Sequence, residues 1–302
     1  MLAQPPARSN RAPTGLWAWA AAGFGPIMDG MKAAVLQMNS GRDRAANLEQ
    51  AKTLLYQAAA RGAVLAVLPE HFACLVPEGR PHPHPEPLRG PTLAFLQQNA
   101  RRLGMWIVGG TLAEAAPGGK TFNTSPLIDD QGRLVAVYRK IHLFDLALPG
   151  QPAWMESRLV RPGRRLVLAD TPLGHLGLSV CFDLRFPELY RRLRMKGAAI
   201  LAAPSAFTLA TGRDHWDLLL RARALDNQCH LLAGAQWGDH GGGRQSFGSA
   251  MIVDPWGQVL ARCPEGVGLA LAEIDRERLA EIRGRLDTAA LGRLLPAAWG
   301  KG

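Results

Sequence analysis

The sequence predicts an α/β protein whose sheets are mixed rather than purely parallel. From Met31 onward, short apolar runs of strand length alternate with segments whose apolar residues recur at helical spacing. Two hairpin signals, Asp129-Asp130-Gln131-Gly132 and Asp254-Pro255-Trp256-Gly257, are interspersed among them and demand antiparallel neighbours. The chain has 302 residues, 47% of them hydrophobic and 20% charged, enough to bury a large core. One domain is expected over residues 31–286.

In chain order, residues 32–38 read as a strand. Over residues 44–61, Leu48, Ala51, Leu54, Leu55 and Ala58 share one helical face. Residues 63–68 are an apolar run of the buried-strand type. Residues 77–91 hold six prolines and two histidines and form a loop. A helix over 92–103 and a strand over 106–111 follow. Residues 125–128 and 133–138 flank the first hairpin turn. Strands are expected over 166–170 and 176–180. Pro187 then opens a helix to 195, where its missing N–H costs least.

After a strand over 199–203, Thr211-Gly212-Arg213-Asp214 resembles a capping box for a helix over 216–228, in which Asp217 pairs with Arg221. Residues 230–236 read as one strand. The second hairpin joins 250–253 to 258–261, a last strand covers 268–274, and a polar helix starts near Arg276. Gly241-Gly242-Gly243 is a turn between strands, not a phosphate loop, since no helix follows it. Residues 1–30, rich in Pro, Gly, Ala and Trp with no acid before Asp29, are expected to be a poorly ordered extension. Residues 287–302 are a C-terminal tail.

Charge and composition exclude several classes of function. The net charge is +10, with 35 basic residues against 25 acidic ones, yet only six of the basic residues are lysines. The arginines are spread along the chain and interleaved with acids, without a basic run or an aromatic RNA-binding motif, so a nucleic-acid partner is not expected. No apolar stretch approaches the roughly 20 residues of a membrane helix. Four cysteines without a CxxC pair argue against a disulfide scaffold or a zinc ribbon. The histidines lack metal-ligand spacing, so no metal is expected. A cytoplasmic location follows, and Asn123-Thr124-Ser125, a glycosylation sequon in a secreted protein, then reads as incidental.

Three polar residues at strand ends carry the chemistry. Cys181 follows an apolar strand and precedes a helix opened by Pro187, a turn that projects a nucleophile where nearby N–H groups favour a thiolate. Taken alone it could equally be a small buried hydrophobe. Glu70 closes an apolar run after Pro69, where partial burial raises a carboxyl toward a general base. By itself it could be an exposed strand-end acid. Lys140 closes another strand, where it could hold a thiolate or an oxyanion, or simply protect a sheet edge. A Cys–His hydrolase with His142 or His215 as base would leave Glu70 and Lys140 without a task.

Leu68-Pro69-Glu70, the segment from Arg139 to Asp145, and Cys181-Phe182-Asp183-Leu184-Arg185-Phe186-Pro187 resemble, in that order, the three catalytic segments of the nitrilase superfamily, the carbon–nitrogen hydrolases. The resemblance spans roughly residues 31–285. It implies a four-layer αββα sandwich and a metal-free, cofactor-free amidase acting through a cysteinyl thioester. Cys181 would be the nucleophile and Glu70 the general base, with Lys140 and the Phe182 N–H binding the oxyanion.

Glu156 matches the place of a second acid, although a solvated loop residue fits its sequence context as well. Segments from Pro204 to Ala224 and from Gln236 to Gly268 are similar to branches acting on 2-oxo acids with a distal amide: 2-oxoglutaramate, or more closely deaminated glutathione, released as 2-oxoglutarate and cysteinylglycine. Arg185 would then hold the substrate carboxylate with help from Thr211, unless Arg185 is tied in an ion pair with Asp183 or Glu188. The superfamily also implies a homodimer, although residues 287–302 do not resemble the branch's usual ending.

Overall fold

The computed structural model describes residues 30–77, 79–146 and 154–289. The expected N-terminal extension and most of the C-terminal tail therefore lie outside the described residues. The first strand is β1 (Lys32–Met38), followed by α1 (Arg44–Ala60) and β2 (Ala63–Val67). Next come α2 (Pro91–Leu103), β3 (Trp106–Val108), β4 (Leu112–Ala115), β5 (Thr121–Ile128) and β6 (Leu134–Arg139). A small hairpin pairs β7 (Asp145–Leu146) with β8 (Trp154–Met155). Then follow β9 (Leu168–Thr171), β10 (Gly174–Leu178), α3 (Pro187–Met195), β11 (Ile200–Ala202) and α4 (Leu209–Asn227). The rest comprises β12 (His230–Ala233), β13 (Ala235–Asp239), β14 (Gln245–Phe247), β15 (Met251–Val253), β16 (Val259–Arg262), β17 (Gly268–Glu273) and α5 (Arg276–Arg285).

Two mixed sheets result. In the first, β1 pairs in parallel with β2 and β13 and antiparallel with β17. β17 covers Lys32 to Gln37 on one edge of β1, and β13 takes over that edge at Gln37 and Met38. β3, β5, β4, β6 and β14 extend this sheet. The second sheet runs β16-β15-β12-β11-β10-β9, with β10, β11 and β12 parallel and the remaining pairs antiparallel.

Strand alternation sorts the side chains into layers. Ala34, Leu36, Met38, Ala66 and Leu68 face Leu54, Leu55 and Leu96 of α1 and α2. Ala33, Val35, Leu65 and Val67 face the opposite way, into a core shared with Leu176, Leu178 and Leu231 of the second sheet. The far side of that sheet is covered by Leu189, Leu193, Trp216 and Leu220 of α3 and α4. The order of layers is thus αββα. Each buried Leu or Val in these layers contributes about 1.5–3 kcal/mol.

Local signals set the ends of the helices. Asp43 accepts the Ala45 and Ala46 N–H groups at 2.9 and 3.1 Å and starts α1. Gly104, in the left-handed conformation, ends α2. Two expectations need correction. The helix expected from Trp216 begins at Leu209, because Thr208 rather than Thr211 is its cap and accepts the Thr211 N–H. The strand expected over residues 230–236 is two strands in different sheets. The chain crosses between them at Gly234, where a Cβ would lie 2.6 Å from the Val67 carbonyl oxygen. The expected Asp217–Arg221 pair is present at 3.6 Å.

Candidate active site

The C-terminal ends of strands from both sheets converge on one cleft of about 1020 Å3, part of it open to solvent. Glu70 lies three residues past β2, and Lys140 directly follows β6. Cys181 opens a short 3-10 turn after β10. Glu156 follows β8, and Ala206 lies between β11 and α4. Glu70, Lys140, Glu156, Cys181, Phe182, Arg185 and Thr211 all line the cleft. Neither His142 nor His215 does: the first meets Asp183 through Nδ1 at 2.7 Å, the second Arg185 at 3.2 Å.

Four side chains form a closed ring at the base. Lys140 Nζ donates to Glu70 Oε1 at 3.0 Å and to Glu156 Oε2 at 2.9 Å. Asn123 Nδ2 donates to the same two carboxylates, to Glu70 Oε1 at 2.8 Å and to Glu156 Oε1 at 3.3 Å. Glu70 Oε2 accepts the Ala206 N–H at 3.0 Å, and Glu156 Oε2 accepts the Phe144 N–H at 2.6 Å. Glu70 and Lys140 are each only 2% exposed and Cys181 8%, so these charges act in a weakly screened interior.

The charge states differ from what the isolated segments suggest. Burial alone would raise Glu70, but the Lys140 ammonium, His71 and hydrogen bonds from Cys181 and Lys140 outweigh it and hold the carboxyl below its usual range. Burial would lower Lys140, yet Glu156 and Glu70 raise it well above its usual value. Burial and the adjacent Glu70 carboxylate push the Cys181 thiol up. The expected raised Glu70 and thiolate-favouring Cys181 are therefore corrected. The resting site holds a carboxylate and an ammonium beside a neutral thiol. Burial also draws His71 down to about 3, so it is neutral at neutral pH.

The turn carrying Cys181 is locally constrained. Its φ of +48° lies in the left-handed region that L-residues seldom occupy. Its N–H donates to Pro204 O and that of Asp183 to Val180 O, each at 3.0 Å, while the intervening Phe182 N–H has no acceptor among the described residues. Asp183 is fully buried and does not pair with Arg185. It instead accepts the Val180 N–H at 2.9 Å, the Tyr138 hydroxyl at 2.7 Å and the His142 N–H at 3.0 Å. Asp183 thus ties the thiol-bearing turn of one sheet to the Lys140 end of the other.

No carboxylate pairs with Arg185 among the described residues, so the ion pair with Asp183 or Glu188 is absent. The guanidinium lies 5.8 Å from the Phe182 ring centre and 5.6 Å from that of Phe207. Thr211 shares a hydroxyl–hydroxyl hydrogen bond of 2.8 Å with Thr208.

Asn123 and Arg244 are among the lining residues not singled out from the sequence. Asn123 stands in a sequon that reads as incidental, but it is buried in β5, with its Oδ1 lacking a partner among the described residues. Its signal was a polar residue on the inward face of a strand, two positions after Thr121 and four before the apolar Leu127. Arg244 follows the glycine turn and offered only its charge.

The model for the family described as carbon–nitrogen hydrolase matches residues 32–284. A deaminated glutathione amidase of Synechocystis is 43% identical over 255 residues, 83% of this chain and 94% of that one. The deaminated glutathione amidase of Homo sapiens is 44% identical, covering 84% of this chain and 79% of its own. The crystal structure of Saccharomyces cerevisiae Nit3, described as a member of branch 10 of the nitrilase superfamily, superposes with a TM-score of 0.77 at 30% identity. The match covers 90% of this chain and 97% of that chain. The chain belongs to the carbon–nitrogen hydrolase family, within the nitrilase superfamily.

Proposed function

We propose that this hydrolase cleaves the distal amide of a 2-oxo acid through a cysteinyl thioester, with deaminated glutathione as substrate and 2-oxoglutarate and cysteinylglycine as products. The observation that carries this reading is the meeting of Glu70, Lys140 and Cys181 in one cleft, beside a Phe182 N–H with no acceptor among the described residues. The substrate is supported by the names of the relatives at 43% and 44% identity.

In the reaction, Glu70 takes the thiol proton as the Cys181 sulfur adds to the amide carbon. The carbonyl oxygen becomes an oxyanion held by Lys140 Nζ and the Phe182 N–H. The C–N bond then breaks, and the proton on Glu70 passes to the leaving amine. Glu70 next takes a proton from water, whose oxygen adds to the thioester carbon. The C–S bond breaks, the sulfur recovers its proton from Glu70, and the carboxylic acid product leaves. Proton transfer of this kind contributes about 10²–10⁴ in rate and an oxyanion donor about 10²–10³. Glu156 keeps Lys140 charged and aimed, and Arg185 with Thr211 receives the 2-oxo acid carboxylate.

The working unit is a homodimer in the cytoplasm. A low-redox compartment suits four free thiols, one of them a nucleophile. The chemistry requires no metal or cofactor. Incubation with deaminated glutathione should release equimolar cysteinylglycine and 2-oxoglutarate. 2-Oxoglutaramate, assayed in parallel by ammonia release, should be the poorer substrate. Cys181→Ala should lower turnover by about 10³-fold or more. No hydrolysis of either amide, or wild-type turnover in Cys181→Ala, overturns the proposal.

A further inference from the structure

Asn123 is the fourth member of the ring at the base of the cleft, and the reaction described above gives it no task. Strand β5 sets its place: its main-chain carbonyl accepts the Lys140 N–H at 2.9 Å, and its register partner in β4 is Ala113. The residue is only 3% exposed. Both N–H bonds of its amide nitrogen are spent on carboxylates, Glu70 Oε1 at 2.8 Å and Glu156 Oε1 at 3.3 Å. Among the described residues nothing donates to its Oδ1. A buried carbonyl left unpaired is a cost to the fold, so the amide is turned to serve its two carboxylates at the expense of its own oxygen.

The two oxygens of Glu70 are thereby made unequal. A carboxylate oxygen offers two lone pairs. Those of Oε1 are taken by Asn123 Nδ2 at 2.8 Å and Lys140 Nζ at 3.0 Å. Oε2 accepts one donor among the described residues, the Ala206 N–H at 3.0 Å, and keeps a lone pair for a proton. The same segment anchors the nucleophile, because the Pro204 carbonyl accepts the Cys181 N–H at 3.0 Å. A neutral amide suits this place. It supplies two donors without adding a second cation, which would hold Glu70 ionised and weaken it as a base.

We infer that Asn123 is a positioning residue for the hydrolysis: with Lys140 it fills Glu70 Oε1, so that Oε2 carries the transferred proton in both half-reactions. This role rests on the reading that Glu70 is the base of a thioester mechanism. The Cys181 proton passes to Oε2 as the bond from sulfur to carbon forms, and from Oε2 to the leaving nitrogen as the C–N bond breaks. A proton from water then takes the same route to Oε2 and goes on to sulfur as the C–S bond breaks. Asn123 touches neither the substrate nor the proton. It keeps the carboxyl from turning and offering the wrong oxygen.

The test follows kcat and KM for deaminated glutathione against pH in the wild type, Asn123→Leu and Glu70→Gln. Leucine removes both donors together with the unpaired carbonyl, and each carboxylate keeps its bond from Lys140, so Asn123→Leu should melt within a few degrees of the wild type. Its kcat should fall by about tenfold or more, with KM unchanged within about twofold. Loss of a hydrogen bond that favours the carboxylate should also move the acid limb of kcat/KM up by about one pH unit. Asn123→Ala removes the same donors without bulk, should show the same two changes, and decides the matter where the leucine variant does not fold. An unchanged kcat, a loss carried by KM, or an acid limb that stays in place overturns the inference while the amidase reading stands. If Glu70→Gln keeps wild-type turnover, or the wild type cleaves no deaminated glutathione, the reading beneath it falls as well.

Discussion

Two opposing forces act on the carboxyl at position 70, and the outcome sets the character of the site. Burial favours the protonated acid, while Lys140 at 3.0 Å favours the anion and wins. Glu70 thus keeps its base form well into the acid range. Activity that depends on it, and the stability its ion pair contributes, should persist above the ordinary carboxylate pKa and be lost only as pH falls through the lowered value.

The same carboxylate raises the Cys181 thiol, so removing it changes reactivity and turnover in opposite directions. Glu70→Gln should abolish hydrolysis, yet iodoacetamide should alkylate Cys181 several-fold faster at neutral pH, because Lys140 then faces the sulfur alone. Slower alkylation in this variant would contradict the charge states described above. The three reacting residues were legible because strand-end Glu70, Lys140 and Cys181 fall in that order within three motifs; none was decisive alone. Their charge states were not, because Lys140 is distant in sequence from both Glu70 and Cys181. Asn123 was passed over because its partners, Glu70 and Glu156, are likewise brought to it only by the fold.

The helical periodicity of α1 was read to within one residue of its limits, and the apolar run Lys32–Met38 with its limits. Four-residue β4 and three-residue β14 were not read, since so few residues cannot display a period. The division of residues 230–239 between two sheets was hidden for a different reason: both halves are apolar at their junction, and what separates them is the approach of Val67 to Gly234.

Helix α4 has apolar residues on both a buried and an exposed face. Trp216 and Leu220 are buried against the second sheet, whereas Leu218 and Leu225 are 67% and 47% exposed on the opposite side. Leu225 lies beside Gly257 in the turn that carries the half-exposed Trp256. Such a patch matches the expected second copy of this chain. Sedimentation should show a dimer for the wild type and a monomer for Leu218→Glu/Leu225→Glu. A wild-type monomer at micromolar concentration, or a variant that still pairs, would remove α4 from the interface.

The molecule as a whole explains why the site lies where it does. Stacking two sheets brings the ends of β2 and β6 from one against the ends of β10 and β11 from the other. Glu70 and Lys140 are delivered by the first, Cys181 and the Ala206 N–H by the second, and Asp183 fastens the two together through Tyr138 and His142. Among the described residues no helix is long and apolar enough to cross a membrane. The order of motifs announced the reacting groups, and the strand–helix alternation announced mixed sheets. The meeting of sheet ends required coordinates.

The claim on which the rest depends is that sulfur at position 181 carries the acyl group between two half-reactions. Intact-mass spectrometry of the protein, acid-quenched during turnover of deaminated glutathione, tests this directly. A gain equal to one 2-oxoglutaryl group, located on the peptide containing Cys181 and discharged by hydroxylamine, is the predicted result. Turnover with no acyl adduct, or an adduct on another residue such as Cys74, would contradict it.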